Sequence, residues 1–336
     1  LEKHKESFED LLQKKGYSGN FNFKKLKLGG NNCVYQIKTG DAKLLGKVYY
    51  RSPDDQRDRL RHEISFTSYL STQDLTKSFA NGIANDTCYG MACFEWVEGK
   101  PCENGEEIPE AHWKQCLNFL SAIQKGRNSE LARELPTASE AAFSISQHWS
   151  LLQNRHDYWY DQITNDRMNL HDNLKDFLLS DVENLYQILV KKVLVHRDFN
   201  RILSFDERIL SPSDFGLHNA IVNPKGNLQF IDFEYSGWDD PAKTIADFLC
   251  QPKFPPSMQL CDEMIKCIYD IIPKSKMKYF MKRYKVINQI ISLKWCYILL
   301  NGIHPVNSKN KAFANEGIKA NNIIEKGKFI LSRMIT

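Results

Sequence analysis

The sequence predicts an α+β chain, with a small antiparallel sheet up to about Val97 and a mainly helical remainder. Three observations carry this expectation. Before Val97 the apolar residues fall in short runs separated by glycines and turn formers, the pattern of strands and hairpins. After Ile108 they recur at helical spacing in one segment after another. Between Leu210 and Asp247 one hairpin pattern interrupts the helices and carries polar and acidic residues at its open end. With 336 residues, 42% of them hydrophobic, the chain is long enough for two lobes, and its composition is that of a folded globular protein.

The elements follow in order. Phe8, Leu11 and Leu12 have helical spacing within Leu1 to Lys15, and Gly16 and Gly19 end that helix. Phe23 to Leu28 and Cys33 to Ile37 read as strands joined by Gly29-Gly30-Asn31-Asn32. A glycine turn of this kind can lay backbone N–H groups over phosphates, and a hairpin that only turns has the same sequence. Leu44 to Tyr50 is a third strand with one lysine, Lys47, in an apolar run, which by itself also fits a surface position. Pro53-Asp54-Asp55 reads as a helix start, with acids at the positive end of the dipole. Leu60, Ile64, Thr67 and Leu70 then mark the inward stripe, with Glu63 at its edge. A lysine on the third strand paired with a glutamate on the next helix is how kinases hold α- and β-phosphates, which makes Lys47 and Glu63 a candidate clamp.

Tyr89 to Val97 is a further strand, running into Glu98-Gly99-Lys100-Pro101. Ile108-Pro109-Glu110 opens a helix with Trp113, Leu117, Leu120 and Ile123 on one face, stopped by Gly126. Further helices are expected over 138–152, 173–190, 261–272 and 277–303. No repeat or low-complexity linker divides the chain.

The hairpin segment holds the chemistry. Asp214 stands five residues before Asn219, followed by Ala220-Ile221-Val222, a Pro-Lys-Gly-Asn turn, Leu228 to Ile231, and Asp232-Phe233-Glu234. Phosphoryl transfer requires a carboxylate to orient or deprotonate the attacking hydroxyl, and an Asn and a second Asp to hold magnesium. The turn at Pro224 to Asn227 closes one end of the hairpin, so Asn219 and Asp232, thirteen residues apart, meet at the other. His196-Arg197-Asp198 reproduces another kinase triplet, but the residue five after Asp198 is Leu203, so spacing favours Asp214 as the base.

These residues resemble the catalytic core of the aminoglycoside phosphotransferase and choline kinase family, which shares the protein-kinase fold, and the similarity extends over most of the chain. The resemblance implies a two-lobed protein-kinase-like fold: residues 1–97 clamp a nucleotide, and 98–336 form a helical lobe with the catalytic and metal loops and the acceptor site. It makes Asp214 the catalytic base, and Asn219 and Asp232 the ligands of Mg2+. It also sets Gly29, Gly30, Asn31, Lys47 and Glu63 against the phosphates of ATP or GTP, and the backbone from Glu95 to Val97 against adenine. Asp240 and Asp247 become braces of the catalytic loop, Glu234 a second metal ligand or a solvent-facing residue, and His218 a packing residue rather than a base. One departure stands out: the family commonly has His-Gly before the base, where this chain has Pro212-Ser213.

The expected activity is therefore transfer of the γ-phosphoryl group of ATP to a hydroxyl of a sugar, amino alcohol or aminoglycoside-like small molecule. A protein kinase is disfavoured because no Asp-Phe-Gly and Ala-Pro-Glu pair delimits an activation loop. A non-catalytic nucleotide-binding scaffold would have no chemical need for Asp214. From Gln251 to Thr336 there are fifteen Lys and Arg against five Asp and Glu, a balance of +10 that leaves −6 for the rest. That asymmetry fits either a solvated surface or an anionic acceptor, with Lys243, just after the metal loop, as a contact. Neither nucleic acid nor membrane is expected as a partner. The charged N-terminus lacks the apolar core of a signal peptide, and no apolar run is long enough to span a bilayer, so a cytoplasmic location is expected. Nine scattered cysteines without a Cys-x-x-Cys pair suit reduced, mostly buried thiols.

Overall fold

The computed structural model describes residues 2–26, 32–53, 55–75, 77–103, 107–303 and 316–334. Residues 27–31, and with them Gly29, Gly30 and Asn31, lie outside the described residues, as does Asp54. The chain divides into two compact units, Leu1–Ser139 with Leu210–Trp238, and Glu140–Ile209 with Asp239–Thr336.

The first unit opens with α1 (Glu2–Gln13), then β1 (Phe21–Leu26), β2 (Cys33–Thr39), β3 (Ala42–Val48), α2 (Arg59–Ser71), β4 (Gly82–Asp86) and β5 (Met91–Glu95). These strands make one antiparallel sheet in the order β1-β2-β3-β5-β4, in which Lys47 lies opposite Val34 on one side and Ala92 on the other. Phe8, Leu11 and Leu12 of α1 pack against Tyr35, Ile37 and Leu44, so the first helix covers one face of the sheet. The unit continues with β6 (Lys100–Pro101), α3 (Glu110–Ala122) and α4 (Glu130–Arg133).

After the excursion into the second unit, the chain returns along β7 (Ile209–Ser211), forms the hairpin of β8 (Ala220–Val222) and β9 (Leu228–Phe230), and leaves along β10 (Gly237–Asp239). In the hairpin Ala220 faces Phe230 and Val222 faces Leu228, and β6 adds to its outer edge through Lys100 and Val222. Asn223 shapes the turn, its side chain accepting from the N–H groups of Lys225 and Asn227, both at 3.0 Å.

The second unit is helical: α5 (Ile145–Thr164), α6 (Asp172–Asp176) continuing through a π-helical turn (Phe177–Val182) into α7 (Glu183–Val193), then α8 (Pro241–Cys250), α9 (Met258–Tyr269), α10 (Met277–Leu299) and α11 (Glu316–Ser332). No helix among the described residues is long and apolar enough to cross a membrane.

Two helix starts differ from expectation. Helix α2 begins not at Pro53-Asp54-Asp55 but after Asp58, whose side chain accepts from the Arg61 N–H at 3.1 Å. Asp55 is instead committed to Arg57 and Arg59, both at 2.6 Å. Helix α5 begins at Ile145 rather than Ala138, because the Ala138 and Ser139 N–H groups are spent on the carbonyls of Trp238 and Tyr235. Ser144 then caps the helix through the Gln147 N–H. Strand β4 and helix α11 were not anticipated.

Candidate functional site

The site builds upward from a cluster of phenylalanines. Phe119 of α3 lies 4.5 Å, centroid to centroid, from Phe230, 5.9 Å from Phe215 and 6.1 Å from Phe233, and Phe66 of α2 reaches Phe233 at 5.4 Å. Phe215 follows Asp214 and Phe233 follows Asp232, and both rings are buried. The backbone at each acid is thus anchored by the apolar residue beside it in sequence, while both carboxylates stay partly exposed. Asp232 and Ser213 both adopt left-handed backbone conformations, with φ of 68° and 66°.

Lys47 is buried, and its Nζ donates to Glu63 at 2.6 Å and to Asp232 at 2.5 Å, with Glu234 at 3.2 Å. Burial alone would drive the ammonium's pKa down, but Glu63, Asp232 and Glu234 together hold it above the usual lysine range. Burial pushes Glu63 up, opposed by Lys47. Glu63 spends both oxygens: Oε2 also accepts from the Tyr49 hydroxyl at 2.7 Å, and Oε1 accepts from the Phe233 N–H at 3.3 Å. Sequence placed Lys47 and Glu63 on neighbouring elements, and the structure pairs them.

Glu234 does not face solvent. It is buried, with Arg59 Nε at 3.7 Å, and accepts from the Asn32 side chain. Asn32 in turn accepts from the Tyr50 N–H at 3.0 Å, tying the end of the glycine-rich turn to β3 and the Asp232 segment. Arg59 bonds Asp55 and, at 3.2 Å, the Tyr50 carbonyl. Sequence reasoning missed Tyr49, Arg59 and Asn32. Their signal was proximity to β3 and α2, but nothing in their local pattern separates them from surface residues.

At the open end of the hairpin the Ile231 N–H donates to the Asn219 carbonyl at 3.0 Å, which sets residues 219 and 231 side by side. Asn219 Nδ2 donates to the Asp214 carbonyl oxygen at 2.9 Å and lies 3.4 Å from Asp214 Oδ2. His218, expected only to pack, donates from Nε2 to Asp214 Oδ1 at 3.0 Å.

The donor set suits a hard divalent cation. Asn219 directs its amide nitrogen to Asp214, leaving Oδ1 without a partner among the described residues, and Lys47 engages only Oδ1 of Asp232. Glu63, Asp232 and Glu234 also place three carboxylate oxygens within 4.8 Å of one another, but the Lys47 ammonium contacts all three groups.

Near the strand end expected to face adenine, the Glu95 N–H already donates to the Asn81 carbonyl at 2.9 Å, and the Asn81 side chain donates to the Glu95 carboxylate. Val97 packs against the buried cluster of Tyr49, Leu60, Ala80, Ala92 and Phe94.

Asp198 belongs to the second unit, in a run of turns, where its N–H donates to His196 Nδ1 at 3.2 Å. Lys243 is buried in the same unit, with Asp239 at 2.7 Å and Asp247 at 3.2 Å. Its charge is neutralised internally, which removes it as a contact for an anionic acceptor. Asp240 caps α8, and accepts from His148 at 2.7 Å and Arg283 at 2.6 Å. All nine cysteines are free thiols, six of them buried.

Three solved structures share the fold. A choline kinase of Streptococcus pneumoniae aligns over 99% of this chain and all of its own (100%), with 17% identity and a TM-score of 0.54. A choline kinase of Cryptosporidium parvum aligns over 94% of this chain and 91% of its own, with 13% identity and a TM-score of 0.54. A spectinomycin phosphotransferase in complex with ADP and spectinomycin aligns over 96% of this chain and 97% of its own, with 12% identity and a TM-score of 0.57. The fold is the two-lobed α+β fold of these kinases. No curated protein matches the chain in sequence. The sequence profile of the phosphotransferase enzyme family matches residues 22–201, more than half of the chain. The chain belongs to the phosphotransferase enzyme family and is a phosphotransferase.

Proposed function

We propose that the protein transfers the γ-phosphoryl group of ATP to a hydroxyl of a small molecule, with Asp214 as base, Lys47 as phosphate clamp, and Asn219 and Asp232 as magnesium ligands. The observation that carries this reading is the bridge from Lys47 to both Glu63 and Asp232, which gathers residues 47, 63 and 232 in one unit with Asp214 and Asn219. Asp214 Oδ2 accepts the proton of the acceptor hydroxyl as its oxygen bonds to the γ-phosphorus. The bond from that phosphorus to the β,γ-bridging oxygen breaks, and ADP leaves with the electron pair. Lys47 offsets phosphate charge, and Glu63 holds Lys47 where it can do so. Asp232 and Asn219 would hold magnesium, which would supply charge neutralisation for the phosphoryl group in transfer. Catalysis on this reading is positioning and charge stabilisation rather than covalent chemistry.

Support for ATP comes from the spectinomycin phosphotransferase, whose structure holds ADP; GTP is the second candidate. The acceptor classes follow the same relatives: an amino alcohol such as choline, or an aminoglycoside-like or sugar hydroxyl. Residues 1–97 form the nucleotide-clamping lobe on this reading, and 98–336 carry the acceptor site.

The test is ADP release from magnesium-ATP against a panel of amino alcohols, sugars and antibiotics, with two variants beside the parent. Loss of a positioned base costs on the order of a hundred- to ten-thousand-fold in rate. Asp214→Asn is expected to lose that much in single-turnover assays while keeping nucleotide affinity, and Asp198→Asn to keep most activity. The reverse ranking would move the base to Asp198.

A further inference from the structure

The Asp214 side chain is 43% exposed, so little packing restrains its carboxylate. Among the described residues two groups reach that carboxylate, and they do so unequally. Asn219 spends its shorter contact, 2.9 Å, on the Asp214 backbone carbonyl and stands 3.4 Å from Oδ2. His218 Nε2 makes the one contact of ordinary hydrogen-bond length, 3.0 Å to Oδ1.

The imidazole is well placed to fix the acid because its own position is fixed. It rides on a single 3-10 turn, Leu217–Asn219, closed by the Asn219 N–H on the Gly216 carbonyl at 3.1 Å. Leu217 is buried beneath the turn, and Phe215 stacks on Phe119. Residues 215 and 217 thus anchor the loop inward, while 214, 218 and 219 meet on its other side.

We infer that His218 is a positioning residue for Asp214, an inference that rests on Asp214 being the base. By holding Oδ1 it selects one rotamer of a half-exposed side chain and leaves Oδ2 as the oxygen offered to the acceptor hydroxyl. A ring present only to fill space would have no reason to aim Nε2 at the carboxylate.

The experiment uses the full chain with magnesium-ATP and water as the acceptor, so that no acceptor need be known. His218→Leu is expected to lower kcat for ADP release about ten- to a hundred-fold, the scale of a misplaced catalytic group. Nucleotide affinity by calorimetry should stay at the parental value, which shows that the variant is folded. His218→Gln, which keeps an N–H donor, is expected to recover most of the loss. On an Asp214→Asn background His218→Leu should cost nothing further. Independently of turnover, ring-nitrogen NMR should find the proton on Nε2 in the parent and a faster-exchanging Nε2 proton in Asp214→Ala. Parental kcat in His218→Leu, equal loss in the Gln variant, additive loss on Asp214→Asn, or a proton on Nδ1 alone would each overturn the inference. Full activity in Asp214→Asn would instead sink the base assignment, so the two failures are distinguishable.

Discussion

Ser213 shows what a single residue decides in the loop that carries Asp214. It adopts a left-handed φ of 66° with a side chain attached. An L-residue in that region costs about 1–2 kcal/mol, partly offset because glycine loses more chain entropy on folding. Ser213→Gly is therefore expected to raise the urea-unfolding free energy by about 0.5–1 kcal/mol, and Ser213→Val to lower it by more than that. An unchanged midpoint in both variants would show that the loop carries no such strain. At this scale the sequence was partly legible. Asp214, Asn219, Asp232, Lys47 and Glu63 were named because chemistry restricts which side chains can hold phosphates, a metal and a proton. Tyr49, Arg59 and Asn32 escaped because their roles are to bond those residues, and a bonding partner leaves no mark in spacing. Glu234 was left open between metal and solvent and is buried among Lys47, Arg59 and Asn32.

Among elements, the hairpin was readable because a turn cluster between two short apolar runs admits few alternatives, and the ladder from Ala220–Phe230 to Val222–Leu228 matches it. Helix boundaries were less readable. Asp54 and Asp55 look like a helix start, but Asp58 makes the capping bond, since the arginines claim Asp55. The alanine-rich 138–142 has helical propensity that loses to hydrogen bonds with Tyr235 and Trp238, partners distant in sequence. Gly99 tests how tightly β6 joins the hairpin. Its φ is 141°, and an added Cβ would lie 2.1 Å from the Val222 carbonyl oxygen. Gly99→Ala is expected to destabilise by more than about 2 kcal/mol, strain and overlap adding. Gly226→Ala, at φ 78° with nothing within 4 Å, should cost only about 1 kcal/mol. Equal costs by denaturant titration would mean that β6 yields freely.

Over the whole molecule, composition foretold a folded protein and the spacing of apolar residues an α+β one, but neither foretold where the charges are spent. The +10 balance from Gln251 onward suggested basic groups free for an anion, yet Lys243, just before that stretch, and Lys294 within it are buried among carboxylates. Burial lifts Asp239 to about 6, against the pull of Lys243. A carboxyl that holds its proton more tightly folded than unfolded, where the value is about 3.9, contributes most below the unfolded value and loses that contribution as pH rises through about 6. Asp240 runs the other way: burial opposes its ionisation, but Arg283 and His148 hold it far below the carboxylate range, so its contribution is present above its unfolded value and fades in acid. Stability should thus fall by about 1 kcal/mol from pH 5 to pH 7 through Asp239 alone, and Asp239→Asn should flatten that slope. Urea unfolding of both proteins at the two pH values decides it; parallel slopes would refute the assignment.

Three carboxylates, Glu63, Asp232 and Glu234, meet one ammonium, Lys47, with Arg59 further off at 3.7 Å from Glu234, and on the proposed reading this imbalance would make the site a discriminator among forms of the same nucleotide. Free ATP brings about four negative charges toward a place already in anionic surplus, whereas its magnesium complex brings roughly half as many. Omitting the cation should therefore weaken ATP binding at least about tenfold, and Asp232→Asn should shrink that ratio by lowering the surplus and removing a ligand. Equal affinity for chelated and unchelated ATP in calorimetry would mean that the carboxylates are screened. In a cell, where most ATP travels with magnesium, the same surplus would, on the proposed reading, turn the metal from a passenger into an admission requirement.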